Sequence, residues 1–126
     1  MKNLSLSVLP ERLAICRLSP DEPIPKSLAH AQFWSATRTE EELSIVVPEE
    51  TVPAYWKAER GWRCLKVLGL LDFDLTGILA SVAVPLDKEG LSIFVISTHN
   101  TDYILVRDGD LEKAKQVLVA SGHVVR

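Results

Sequence analysis

Leu91-Ser-Ile-Phe-Val-Ile-Ser-Thr-His-Asn-Thr-Asp-Tyr-Ile-Leu-Val106 is the stretch on which the fold turns. Apolar residues fill Ile93 to Ile96 and Tyr103 to Val106, and the polar run Ser97 to Thr101 separates them. Two short β-rich runs joined by such a turn form an antiparallel hairpin. Ahead of it, Ile78, Leu79, Val82 and Leu86 recur at helical spacing, and Gly90 ends that helix. Asp74 is the expected N-cap, because its carboxylate can accept from the exposed amides of the first turn. Pro85 lies inside this helix and should bend it, since its ring removes one hydrogen bond and crowds the carbonyl four residues back. Trp62-Arg-Cys-Leu-Lys-Val67 reads as the preceding strand. Beyond the hairpin, Asp108-Gly109-Asp110 caps a last helix from Leu111 to Ser121, with Leu111, Ala114, Val117 and Leu118 turned inward. Gly122 stops it, and His123-Val-Val-Arg126 has room for one short strand.

From Trp62 onward the order is therefore βαββαβ, the ferredoxin-like plan, with two helices on one face of a four-stranded antiparallel sheet. The first half gives a looser version. Leu4, Leu6 and Val8 alternate with polar neighbours, and Leu13 to Leu18 repeats the period after a turn at Glu11-Arg12. Pro20, Pro23 and Pro25 leave room for one short helix between Pro25 and Ala31. Strands follow at Phe33 to Arg38 and Leu43 to Val47, with Glu40-Glu41-Glu42 between them, and another short helix is expected from Glu49 to Lys57. Trp34 to Val47 and Phe94 to Arg107, sixty positions apart, share a strand, polar turn, acidic residue and apolar strand, which marks a diverged internal repeat. The fold class expected is α+β, a tandem of ferredoxin-like units at 1–61 and 62–126. Each is too small to hold much stability alone.

The chain has 126 residues, 47% hydrophobic and 25% charged, as in ordinary globular chains. Lys and Arg number 14 against 17 Asp and Glu, a net charge of -3 with no basic cluster, so nucleic acid is not an expected partner. No apolar run reaches the roughly 20 residues that cross a bilayer, and the start of the chain does not read as a signal peptide. A cytoplasmic location without membrane association is expected. Cys16 and Cys64 lack redox or metal spacing and read as buried thiols. His30 and His123 have no metal-spaced partners, so no metal or cofactor is expected. Trp34, Trp56 and Trp62 read as core or interface anchors, His99 as an exposed turn histidine, and Glu40, Glu41, Glu42, Glu49 and Glu50 as a solvated acidic face. There is no Gly-x-Ser-x-Gly elbow, no phosphate-cradling loop and no Cys with a nearby His, so catalysis is not expected.

Gly69-Leu-Leu-Asp-Phe-Asp-Leu-Thr-Gly-Ile-Leu-Ala80, then Pro85-Leu, Gly90-Leu-Ser-Ile-Phe-Val-Ile-Ser-Thr98 and Thr101-Asp-Tyr-Ile-Leu-Val106, resembles the ACT domain. The resemblance is to the tandem ACT-like group related to aspartokinase regulatory domains and the cytosolic arginine sensors. Thr37-Arg-Thr-Glu-Glu-Glu-Leu-Ser-Ile-Val-Val-Pro48 resembles the first-half signature of its small bacterial members. It implies a regulatory or sensor protein that holds a small ligand, usually an amino acid, at an interface between ACT units, together with a homodimer built through sheets or helices. The alternative is a dimerisation or docking module for an unidentified protein.

An amino acid needs anion donors, an acceptor and a shaped pocket. Unpaired amides at the start of the Asp74-capped helix, over Asp74, Leu75, Thr76, Gly77 and Ile78, suit its carboxylate, while Asp72 would hold a positive group from the opposite loop or else be a solvated loop carboxylate. Gly77 lets it approach the backbone, or alternatively serves helix-sheet packing. The resemblance places further contacts on the backbone of the strand Ile93 to Ser97, which includes Ile96, and Thr76, Ser97 and Thr98 offer hydroxyls or else serve as local cap and turn partners. Asp102, in the element matching the Thr-Asp of the arginine-sensing relatives, would pair with an ammonium or guanidinium, or else satisfy its own turn.

Overall fold

Short apolar-rich runs bounded by polar turns produce most of the strands, and clear alternation marks Ser5–Val8 alone among them. The computed structural model describes residues 3–69 and 76–126. In chain order the elements are β1 (Ser5–Val8), β2 (Leu13–Leu18), β3 (Ser35–Arg38), β4 (Leu43–Pro48), β5 (Lys57–Val67), α1 (Ile78–Lys88), β6 (Ile93–Ser97), β7 (Asp102–Arg107), α2 (Leu111–Ala120) and β8 (Val124–Val125). They form two compact units, one of residues 11–62 and one of residues 1–10 with 63–126.

In the unit of residues 11–62 the strands lie in the order β3-β4-β2-β5. β2 pairs antiparallel with β4 from Leu13↔Pro48 to Leu18↔Leu43. Ala14, Cys16, Leu43, Ile45 and Val47 project to one face and pack with Leu28 and Val52. Leu28 comes from a single 3-10 turn, Lys26–His30, begun by Pro25. The helix expected from Glu49 to Lys57 is only a 3-10 turn, Glu49–Thr51. The Thr51 hydroxyl donates to the Pro48 carbonyl at 2.7 Å, and Lys57 already begins β5. Between Leu13↔Trp62 and Ile15↔Glu59, β2 advances two residues while β5 advances three. Gly61, at φ 77°, takes up the extra residue as a β-bulge. Glu49 is not simply a solvated charge: it accepts the bulge N–H of Gly61 at 2.6 Å and pairs with Arg12 at 3.4 Å.

The second unit carries the βαββαβ order with one addition. β1, expected in the first unit with the rest of 1–61, sits instead between β5 and β8, giving the order β8-β1-β5-β7-β6. Leu6 is opposite Val67 in the antiparallel β1–β5 pair and opposite Val125 in the parallel β1–β8 pair. The sheet is thus five-stranded and not wholly antiparallel. The physical reason is burial: Leu6 is fully covered in a core with Leu65, Val67, Ile104, Val106 and the helix residues Val82, Leu86, Leu111, Ala114 and Leu118. Gly77 is the N-cap of α1, with no side-chain cap, and the expected N-cap, Asp74, lies outside the described residues. Pro85 lies inside α1, as expected.

Both thiols are free and buried. Burial pushes the Cys64 thiol from its ordinary 9.0 up to about 12. Burial also raises Cys16, and the Arg60 guanidinium opposes that shift. In the unfolded chain Cys64 ionises near its ordinary value, so its contribution to stability is whole below that value and is lost as pH rises toward 12. Chemical denaturation should therefore show a steeper alkaline fall in stability for the parent than for Cys64→Ala; parallel curves would refute this.

Candidate functional site

The end of the second unit where β5 finishes gathers three segments. β6 and β7 pair from Ile93↔Val106 to Ser97↔Asp102, so their turn begins where that last pair closes. Thr98 N–H donates to the Thr101 carbonyl at 2.9 Å, and the Thr98 hydroxyl lies 3.1 Å from that carbonyl and 3.3 Å from the Thr101 N–H. The Thr101 hydroxyl, 3% exposed as a residue, donates to the Val67 carbonyl at 2.6 Å and moors the turn to the end of β5. α1 is the crossover from β5 to β6 and runs toward the start of β6, so its own first turn lies at the end where the hairpin turns.

Each expected residue has a definite place there or lies outside the described chain. Asp102 is half-buried, and its Oδ1 accepts the Ser97 hydroxyl at 2.6 Å. That bond is the local partner anticipated for Asp102, and it engages one of the two carboxylate oxygens. Ser97 and Thr98 are exposed, and Ile96 is half-buried. Thr76 and Gly77 are exposed, whereas Ile78 is buried and belongs to the helix's inner face. Gly77 has φ 78°, and a Cβ built on it would meet nothing within 4 Å. The helix-sheet packing alternative for Gly77 is therefore not supported: left-handed backbone is what requires glycine. Its carbonyl accepts the Ser81 N–H at 3.0 Å. Asp72, Asp74 and Leu75 lie outside the described residues.

Other expectations resolve locally. His99 is exposed, with Nδ1 3.2 Å from Asn100 Oδ1. Trp62 is buried, Trp56 packs on the core of the first unit, and Trp34 is 38% exposed rather than buried. A groove of about 530 Å³ lies between α1 and α2, walled by Val84, Pro85, Lys88, Lys113 and Val117, and none of the expected site residues among those described lines it. Among the described residues no three His, Cys, Asp or Glu side chains converge as metal ligands. Next to Asp102, the Tyr103 ring lies 5.9 Å from the Lys66 ammonium. Sequence reasoning passed over Thr101 as a residue in its own right, because its hydroxyl donates to a strand end 34 positions earlier.

A family model described as the ACT domain matches residues 57–120. The chain belongs to the ACT domain family. A second family model, of an N-terminal domain, matches residues 11–55. This ACT protein is 30% identical over 109 residues to the human Cytosolic arginine sensor for mTORC1 subunit 1. The match takes in 78% of this chain and 33% of the sensor, so the chain spans about a third of that relative's length. A solved protein of Agobacterium tumefaciens has a TM-score of 0.94 at 40% identity, over 100% of this chain and 94% of its own. The ligand-free regulatory subunit of aspartate kinase from Thermus thermophilus has a TM-score of 0.65 at 12% identity, over 95% and 99%, a likeness of fold. Of these proteins, one is an arginine sensor and another a regulatory subunit.

Proposed function

We propose that this ACT protein is a cytoplasmic regulatory module that binds an amino acid at the Gly77–Asp102 end of its second unit and is closed over the ligand by a further ACT unit, most simply in a homodimer. The observation that carries the reading is the half-buried Asp102 carboxylate, oriented by Ser97 and set at the same end as an open glycine at the start of α1. The carboxylate suits the ligand's ammonium, or a guanidinium on its side chain, and the unpaired amides of the helix start suit its carboxylate. Ligand would favour one arrangement of units, and a partner would read that arrangement. The name of the arginine-sensing relative supports an amino acid as the ligand.

A thermal-shift series over the standard amino acids tests it. Ligand at 100 times its dissociation constant stabilises by about 2.7 kcal/mol, a rise of several degrees for a domain of this size. Asp102→Ala should weaken binding by about 1.5–3 kcal/mol, the worth of a hydrogen bond to a charged group, and leave the unliganded melting temperature nearly unchanged because Ser97 is exposed to water. A ligand bound equally well by parent and variant would dismiss Asp102.

A docking role has one observation in its favour. Among the described residues β6 pairs only with β7 and so forms a sheet edge, and Ile93-Phe-Val-Ile96 carries no charge or proline to guard it. No shift with any amino acid, together with an association lost in Val95→Lys, would favour that reading.

A further inference from the structure

The imidazole of His123 is buried, 4% exposed, and none of the roles above uses it. Two gaps in the backbone hydrogen bonding meet at this ring. Pro85 has no N–H, so the carbonyl of Ser81, four residues earlier in α1, lacks its helical donor. His123 Nε2 lies 2.7 Å from that carbonyl oxygen. At the other side, β8 begins only at Val124, whose N–H donates to the Leu4 carbonyl, so the β1–β8 ladder has no strand carbonyl left for the Leu4 N–H. His123 Nδ1 accepts it at 3.0 Å. The end of α2 places the ring: Gly122 takes φ 99°, and the His123 N–H returns to the Leu118 carbonyl at 3.0 Å. A side chain at Gly122 would be strained by that φ and would also have to displace the Asn3 side chain, whose Oδ1 lies 2.8 Å from a Cβ built there.

We propose that His123 is a latch between β1 and α1, held as the neutral tautomer with its proton on Nε2, and that it fixes the position of α1 by supplying the donor that Pro85 withholds. A carbonyl oxygen can only accept and an amide N–H can only donate, so the two partners assign both ring nitrogens. Because α1 begins at Gly77, the latch steadies the helix whose first turn the proposed ligand meets. That last step rests on the amino-acid-binding reading, and the tests below need no ligand, so either can fail without the other.

Nitrogen-15 NMR of the parent protein at neutral pH should show the His123 ring protonated at Nε2 and bare at Nδ1; a proton on Nδ1 overturns the proposal. In His123→Leu, hydrogen exchange at the Leu4 amide should quicken by about tenfold, the worth of one net hydrogen bond, relative to the Leu105 amide in central β7. Equal change at both amides would mean general loosening and not a latch. Pro85→Ala restores an N–H at position 85 and should raise the melting temperature more in the His123→Leu background than in the parent. The same increment in both backgrounds would show that His123 does not stand in for that donor. Should His123→Leu fail to fold, the tautomer of the parent still decides.

Discussion

Replacing Leu6 by Ala should destabilise the protein by about 2–5 kcal/mol, the cost of emptying a fully buried leucine position that the surroundings cannot refill. Leu6 is 0% exposed and lies between Val67 on β5 and Val125 on β8, over the helix residues Val82 and Leu118. Urea unfolding measures the loss directly. Native-state hydrogen exchange should place it in residues 63–126, because that is the core Leu6 belongs to. A loss below about 1 kcal/mol would mean that β1 is a peripheral strand.

Gly77→Val should cost about 1–3 kcal/mol of stability through backbone strain alone and should also abolish ligand binding at the start of α1. Open space around a Cβ at this position means that no clash contributes; the cost comes from φ 78°, which branched residues rarely adopt. Gly77→Ala separates the two effects, since it carries most of the conformational cost with far less bulk in front of the helix. Denaturation and ligand titration of both variants give the answer. Valine with parental stability would show that the left-handed start is absent in solution, and parental affinity would show that the ligand does not approach there.

The second half of the fold was legible because its signals are local and agree with one another. Ile93 to Val106 has strand composition on both sides of a polar turn, and the structure pairs Ser97 with Asp102 where that turn begins. Leu111, Ala114 and Leu118 mark the inner face of α2 from spacing alone, and all three are buried. What the sequence does not display is partner choice. Leu4-Ser-Leu-Ser-Val8 reads as a strand in any sheet, and only the packing of Leu6 against residues more than fifty positions away assigns it to the second unit. Glu49 to Lys57 misled because Pro53 and the acidic pair suit a helix start, while Gly61 lets β5 continue through a bulge that no alternation betrays.

The site was legible in part. Asp102 and its Ser97 partner follow from the hairpin register, and Gly77 from its place before the apolar helical run. Thr101 needed the end of β5 beside it before its hydroxyl had a meaning. His123 was the largest omission, yet a signal existed: a proline inside a helix frees the carbonyl four residues before it, and a buried carbonyl must find a donor somewhere. The donor lies 42 positions on, beyond the reach of local patterns.

The seating of β1 also bears on how the polypeptide is made. Residues 5 and 6 are synthesised well over a hundred residues before their partners at Val124 and Val125. The unit of residues 11–62 holds β2, β3, β4 and the first part of β5 and can collapse while translation continues, because domains form as units in order of emergence. β1 must wait through that interval with Leu6 uncovered. Synthesis speed and nascent-chain chaperones, which act on such exposed apolar strands, are then expected to influence the yield of this protein more than its final stability does.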